Sequence, residues 1–207
     1  MQRRGAKRSI VQSELDIKGW KASLPSVEAV RPGRCPTCGV AGRAPGQPYG
    51  LHGHGLRERQ FRGPISPGAR PAMVVLLVRR YRCQACAAVV TVAPRETAVG
   101  RLYTLSAVAW ALALFGITGL PEREVRRSTS PWQIVGGAAV RRWVTLRRWV
   151  AAAIGRRLFG RLRCPPDRCR LRQAAAQIAI TVSAYASPTL ASMPPPVRAF
   201  FGAVRAA

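Results

Sequence analysis

The chain has 207 residues, of which 34 are Lys or Arg and 8 are Asp or Glu, for a net charge of +26. So few acids exclude a two-metal nuclease or strand-transfer centre, which needs several converging carboxylates; Glu14, Asp16, Glu28, Glu58, Glu96, Glu122, Glu124 and Asp167 form no recognisable set. Leu, Ile, Val and Phe supply 49 residues, which permits modest cores rather than one large one.

In chain order, residues 1–30 read as a basic N-terminal segment of mixed polarity, without the apolar core of a secretory signal peptide. A cytoplasmic location is expected, where thiols stay reduced and paired cysteines serve as metal ligands rather than disulfides. Residues 31–97 are rich in Gly and Pro and read as a zinc-ribbon-like domain. The run Met73-Val74-Val75-Leu76-Leu77-Val78 into Arg79-Arg80-Tyr81-Arg82-Cys83 predicts a strand, a second is predicted from Ala88 to Val92, and a third from Leu51 to Phe61.

From residue 98 to 160 the spacing is helical. Leu102, Leu105, Val108, Ala109, Leu112 and Phe115 predict a helix that stops near Gly116 or Gly119. Pro121 suits the first turn of a second helix, with Glu122 and Glu124 at its positive end. A third helix is predicted from about Ala138 to Phe159, and residues 161–207 read as an Ala/Pro-rich, partly helical tail. The stretch Leu102 to Leu120 carries no charge and approaches the length of a membrane span. Its glycines, hydroxyls and one-sided apolar stripe fit a buried core helix better, which leaves a membrane-associated protein as the weakest alternative.

The strongest chemical signal is a pair of CxxC turns, Cys35-Pro36-Thr37-Cys38 and Cys83-Gln84-Ala85-Cys86, 44 residues apart. Two such turns can set four thiolates tetrahedrally around one Zn²⁺. A redox CxxC would need a βαβ context, and this stretch has no following helix. His52 and His54 are candidate phosphate contacts more than ligands, and Cys164 and Cys169 read as an incidental pair. No GxSxG elbow, P-loop or HExxH is present, so no enzyme and no small-molecule substrate are expected.

Only three of the basic residues are Lys, leaving 31 Arg, the side chain whose planar fork binds phosphate bidentately. A polyanion is the expected partner. In VRRWVTLRRWVA, Val140, Trp143, Val144, Leu146, Val150 and Ala151 share one side of a helix, while Arg141, Arg142, Thr145 and Arg148 lie on the other with Trp149. Those four, with Arg79, Arg80 and Arg82 on the strand entering the second CxxC, are the candidate DNA contacts. The plain alternative is a solvated basic face on an ordinary helical hairpin.

The order of CPTCG, His52-Gly53, RRYRCQAC, a helix and a second helix containing VRRW resembles the N-terminal recognition region of bacterial insertion-sequence transposases. There a zinc ribbon precedes a helix-turn-helix, and the similarity covers about Arg34 to Ala152. The resemblance implies that Cys35, Cys38, Cys83 and Cys86 bind Zn²⁺ and that Arg141 and Arg142 lie on the DNA-facing helix. The catalytic RNase H-like domain of that family has no counterpart here. The expectation is an α+β protein, a small zinc-ribbon module followed by a helix-turn-helix-like domain, that binds double-stranded DNA. An RNA-binding or ribonucleoprotein-associated zinc ribbon is the alternative.

Overall fold

The computed structural model describes residues 8–132, 135–137, 143–162 and 170–207. Among them the chain is α+β, with a four-stranded mixed sheet and six α-helices. The elements are β1 (Arg8–Gln12), α1 (Ile17–Ala22), β2 (Leu51–Gly63), β3 (Ala72–Cys83), β4 (Val89–Ala93), α2 (Leu105–Gly116), α3 (Glu122–Arg127), α4 (Val144–Ile154), α5 (Leu171–Ser183) and α6 (Pro195–Gly202), with a 3₁₀ turn at Pro188–Leu190. Contacts divide the chain into two units, Met1–Gln60 with Val75–Val99, and Phe61–Val74 with Gly100–Ala207.

In the first unit the sheet order is β1-β4-β3-β2. The β-branched run of β4 pairs antiparallel with β3, Arg79 opposite Val92 and Arg82 opposite Val89. On its other side β4 pairs in parallel with β1, Arg8 opposite Val89 and Gln12 opposite Ala93. Val78, Tyr81, Val90 and Val92 are fully buried, and Trp20 from α1 closes on them while its indole N–H donates to the Leu77 carbonyl at 2.8 Å. The Tyr81 hydroxyl donates to the Val27 carbonyl at 2.6 Å, tying the segment before the first CxxC to the sheet. Arg31 stacks on Tyr49 at 4.3 Å and donates to the Leu51 carbonyl, so this cation is a packing element rather than a free charge.

The second unit is organised around α2. Thr104 caps it by accepting from the Ala107 N–H at 3.0 Å. Every residue from Leu105 to Phe115 except Trp110 is buried, and a helix apolar all round belongs in the middle of a core. No helix among the described residues is long and apolar enough to cross a membrane. Helices α5 and α6 pack on α2 and on each other. Small residues bring the axes close: a Cβ on Gly116 would stand 2.3 Å from the Ala176 nitrogen, and one on Gly202 2.1 Å from the Val182 oxygen. Arg172 closes the α2 C-terminus by donating to the carbonyls of Phe115 and Leu120, a site where a cation also meets the negative end of the helix dipole.

Several sequence expectations are altered by these contacts. Residues 8–12 form a strand and 17–22 a helix within what reads as a polar N-terminal segment. Beyond residue 170 the expected partly helical tail is helical and packed into the core, α5 burying Ala174, Ala175, Ile178, Ala179 and Val182. The helix predicted over 138–159 is observed as α4, which ends at Ile154; residues 138–142 lie outside the described residues. Gly155 caps α4, and the N–H groups of Arg157 and Leu158 turn back to the Ala152 carbonyl at 2.8 and 3.1 Å. The apolar face of α4 is also rotated from the expected one. Trp149, placed with the polar set by periodicity, is 1% exposed, whereas Val144 is 54% exposed. Trp149 is the larger apolar body, and Trp143 flanks the helix as its N-cap, so its burial does not fix the helix phase.

Candidate metal centre

Each CxxC turn is held by the same pair of backbone bonds. In the first, the Cys35 N–H donates to the Val40 carbonyl at 2.8 Å and the Gly39 N–H to the Cys35 carbonyl at 2.9 Å. In the second, the Cys83 N–H donates to Ala88 at 2.9 Å and the Ala87 N–H to Cys83 at 3.0 Å. The residue after the second cysteine is left-handed in both, Gly39 at φ 78° and Ala87 at φ 58°. Antiparallel backbone flanks both turns, through the Arg34–Ala41 bridge in one and β3 and β4 in the other.

Close backbone packing brings the turns together. The Gln84 N–H donates to the Gly50 carbonyl at 2.9 Å. A Cβ on Gly42 would meet the Pro32 oxygen at 2.0 Å, and one on Gly50 the Ala41 oxygen at 2.1 Å. These two glycines admit a backbone approach that CxxC spacing alone does not announce, although the Gly-rich composition of residues 39–55 is consistent with it.

The result is a cluster of four sulfurs, all within 4.8 Å of one another. Cys35 Sγ is 3.8 Å from Cys86 Sγ, and Cys38 Sγ is 3.6 Å from Cys83 Sγ. A tetrahedron with metal–sulfur bonds of about 2.3 Å has edges of about 3.8 Å, so the spacing fits one tetrahedral ion. All four are free thiols. Cys35 and Cys83 are buried, while Cys38 and Cys86 face solvent.

Electrostatics also favours a cation. Burial raises the Cys35 thiol, but the backbone N–H groups of Thr37 and Cys38 and the neighbouring thiols outweigh it and bring it down to about 7. The Val40 N–H favours a thiolate at Cys38, yet desolvation and the other three sulfurs push it up to about 12. Cys86 is likewise raised, the Ala88 N–H being outweighed by desolvation and by Cys83 and Cys35. One negative charge is thus accommodated by backbone dipoles and further ones repel. A metal ion at the centre removes that repulsion, and Cys35, Cys38, Cys83 and Cys86 can hold one.

The other candidate residues are dispersed. His52 and His54 lie exposed on β2, outside the sulfur cluster. Arg79 is committed to the Pro25 carbonyl at 2.8 Å, Arg80 is half-buried, and Arg82 is exposed beside Cys83. On α4, Arg148 is exposed and Thr145 half-buried. Arg141, Arg142, Cys164 and Cys169 lie outside the described residues. Comparison with known proteins finds no matching family model, curated protein or solved structure.

Proposed function

We propose that the chain is a zinc-stabilised, double-stranded-DNA-binding protein, a recognition module of the insertion-sequence transposase type. The observation that carries this reading is the surplus of 31 Arg over eight acids on a chain with a four-thiol metal centre. Such a charge repels itself unless a polyanion neutralises it, and Arg is suited to phosphate. Zinc is the ion proposed because closed four-thiolate sites of this spacing are its structural preference, with iron the other metal such a site takes. On this reading the metal holds the first unit together and α4 is the DNA-facing helix, its Arg147 and Arg148 lying exposed opposite the buried Leu146, Trp149 and Val150. The helix-turn-helix would be formed by α3 and α4.

The test combines elemental analysis with duplex binding across a salt series. About one zinc per chain is expected, lost together with folded first-unit signals in Cys83→Ser. Affinity should fall steeply with salt, by about 0.9 in log affinity per log salt for each phosphate neutralised. A preparation purified without chelator that holds no metal overturns the zinc assignment. Tighter binding to a structured RNA than to duplex DNA at equal salt replaces DNA with RNA as the partner.

A further inference from the structure

We infer that the exposed indole of Trp132, with the Arg62 guanidinium against its ring, is a stacking platform for one unpaired nucleobase of a bound DNA. This rests on the DNA-binding reading above and adds to it a preference for duplex that carries an extrahelical base. Both residues belong to the second unit. In the chain Trp132 follows α3 and precedes α4, the two helices on which the DNA reading rests. It is 50% exposed, although an indole is among the side chains with most to gain from burial. The other four indoles follow that rule: Trp20, Trp143 and Trp149 are 5% exposed or less, and Trp110 is half-buried.

The ring is exposed but its backbone is anchored. The Trp132 N–H donates to Ser130 Oγ at 3.3 Å, and that buried hydroxyl also accepts from the Tyr103 hydroxyl at 3.1 Å. Tyr103 in turn packs edge-to-face on Trp149 at 5.0 Å and on Trp143 at 6.3 Å, the aromatic cluster that seats α4. The Ser130 N–H donates to the Arg126 carbonyl in the last turn of α3 at 2.7 Å. Over the Trp132 ring stands Arg62, its Cζ 5.5 Å from the centroid. The Arg62 backbone is pinned as well, its N–H donating to the Leu102 carbonyl at 2.8 Å and its carbonyl accepting from the Thr104 N–H at 3.1 Å. A cation held against the ring is a poor cover for an apolar partner, and Ser128, Thr129 and Ser130 just before it add no apolar surface. The same cation suits a polyanion whose flat bases stack on indole and guanidinium planes alike. A paired base is already stacked within its helix, so the base that gains is an unpaired one.

The experiment uses the full chain and two fluorescent duplexes, one fully paired and one identical but for a single extra adenine at its centre, each titrated across a salt series. Wild type should bind the bulged duplex about tenfold more tightly, the scale of one base–aromatic stack. Trp132→Ala should bring that ratio to within about twofold of equality and leave the log–log salt slope unchanged, because no charge is removed. Trp132→Leu keeps apolar bulk beside Arg62 without a ring and should lose the preference equally, whereas Trp132→Phe should retain most of it. Phe201→Ala, which removes an exposed ring on α6, should leave the ratio as in wild type. Equal affinity of wild type for the two duplexes, or a preference that Trp132→Leu retains, overturns the platform and leaves the DNA reading standing. Wild type that binds neither duplex overturns both.

Discussion

Ala87 sits at the left-handed position that glycine fills in the matching turn at Gly39. A Cβ in that conformation costs about 1–2 kcal/mol, part of which glycine gives back through its freer unfolded state. Ala87→Gly should therefore stabilise the metal-loaded protein by about 0.5–1 kcal/mol, read as a raised denaturant midpoint, while Gly39→Ala should lower it. A lower midpoint for Ala87→Gly would show that the turn is held by something other than its backbone conformation. Glu96 is a second residue whose setting opposes its usual state. Burial raises its carboxyl above the ordinary range, although the Ile17 N–H donates to it at 3.0 Å and its own N–H also favours the charge. The folded state thus holds this proton more tightly than the unfolded one. Its contribution to stability is present below the unfolded carboxylate pKa and is lost as pH rises through the raised folded value. Glu96→Gln keeps an acceptor for Ile17 and removes the buried charge, so the variant should be more stable than wild type at pH 7 and lose that advantage at pH 4. An unchanged difference between the two pH values would refute the assignment.

At the scale of an element, α4 illustrates how periodicity can find a helix and misplace its face. Leu146, Trp149, Val150 and Ala153 turn inward, and Val144, Arg147, Arg148 and Ala151 turn outward. Removing the Trp149 side chain, which is 1% exposed and stacked on Tyr103 and Trp143, should cost about 3–5 kcal/mol. Val144→Ala should change stability by no more than about 0.5 kcal/mol. Equilibrium urea unfolding of the two variants decides between the faces: the reverse order would restore the one expected from the sequence pattern. The sheet carries a similar lesson. The burial pattern of β3 changes phase between Val78 and Tyr81, leaving Arg79 and Arg80 both half-buried, so strict alternation does not tell which arginine of RRYRC is free.

For the whole molecule, the distribution of charge sets what chemistry is open to it. Two-metal strand cleavage needs carboxylates fixed around the scissile phosphate. Among the described residues, Glu28 pairs with Arg31 and Arg43, Asp16 with Arg95, and Glu122 accepts the Trp143 N–H at 2.6 Å. Four thiolates around a zinc ion leave it no open position for water. The purified chain is accordingly expected neither to nick nor to join supercoiled plasmid with Mg²⁺ or Mn²⁺, assayed by gel. Metal-dependent nicking that is abolished by Asp167→Asn would replace the proposed binding function with an enzymatic one.

The sequence by itself determined the α+β class, the two CxxC turns, the strand running into Cys83 and the existence of α2, because each rests on local spacing: two residues between cysteines, a β-branched run, apolar residues three and four apart. The tertiary structure decided what depends on distant partners. Strand β1 exists through its parallel pairing with β4 some 80 residues on. The helices after residue 170 are core because Gly116 and Gly202 let Ala-rich surfaces approach closely, a fit invisible in a composition that reads as a tail. The cysteine turns could be read singly, but their meeting is tertiary: the Gln84 N–H of the second turn bonds the Gly50 carbonyl beside the first, whose own segment is folded tightly at Gly42 and Gly50. Tyr103 lies 46 residues from Trp149 in the chain, and the meeting of their rings is a tertiary contact that spacing does not announce.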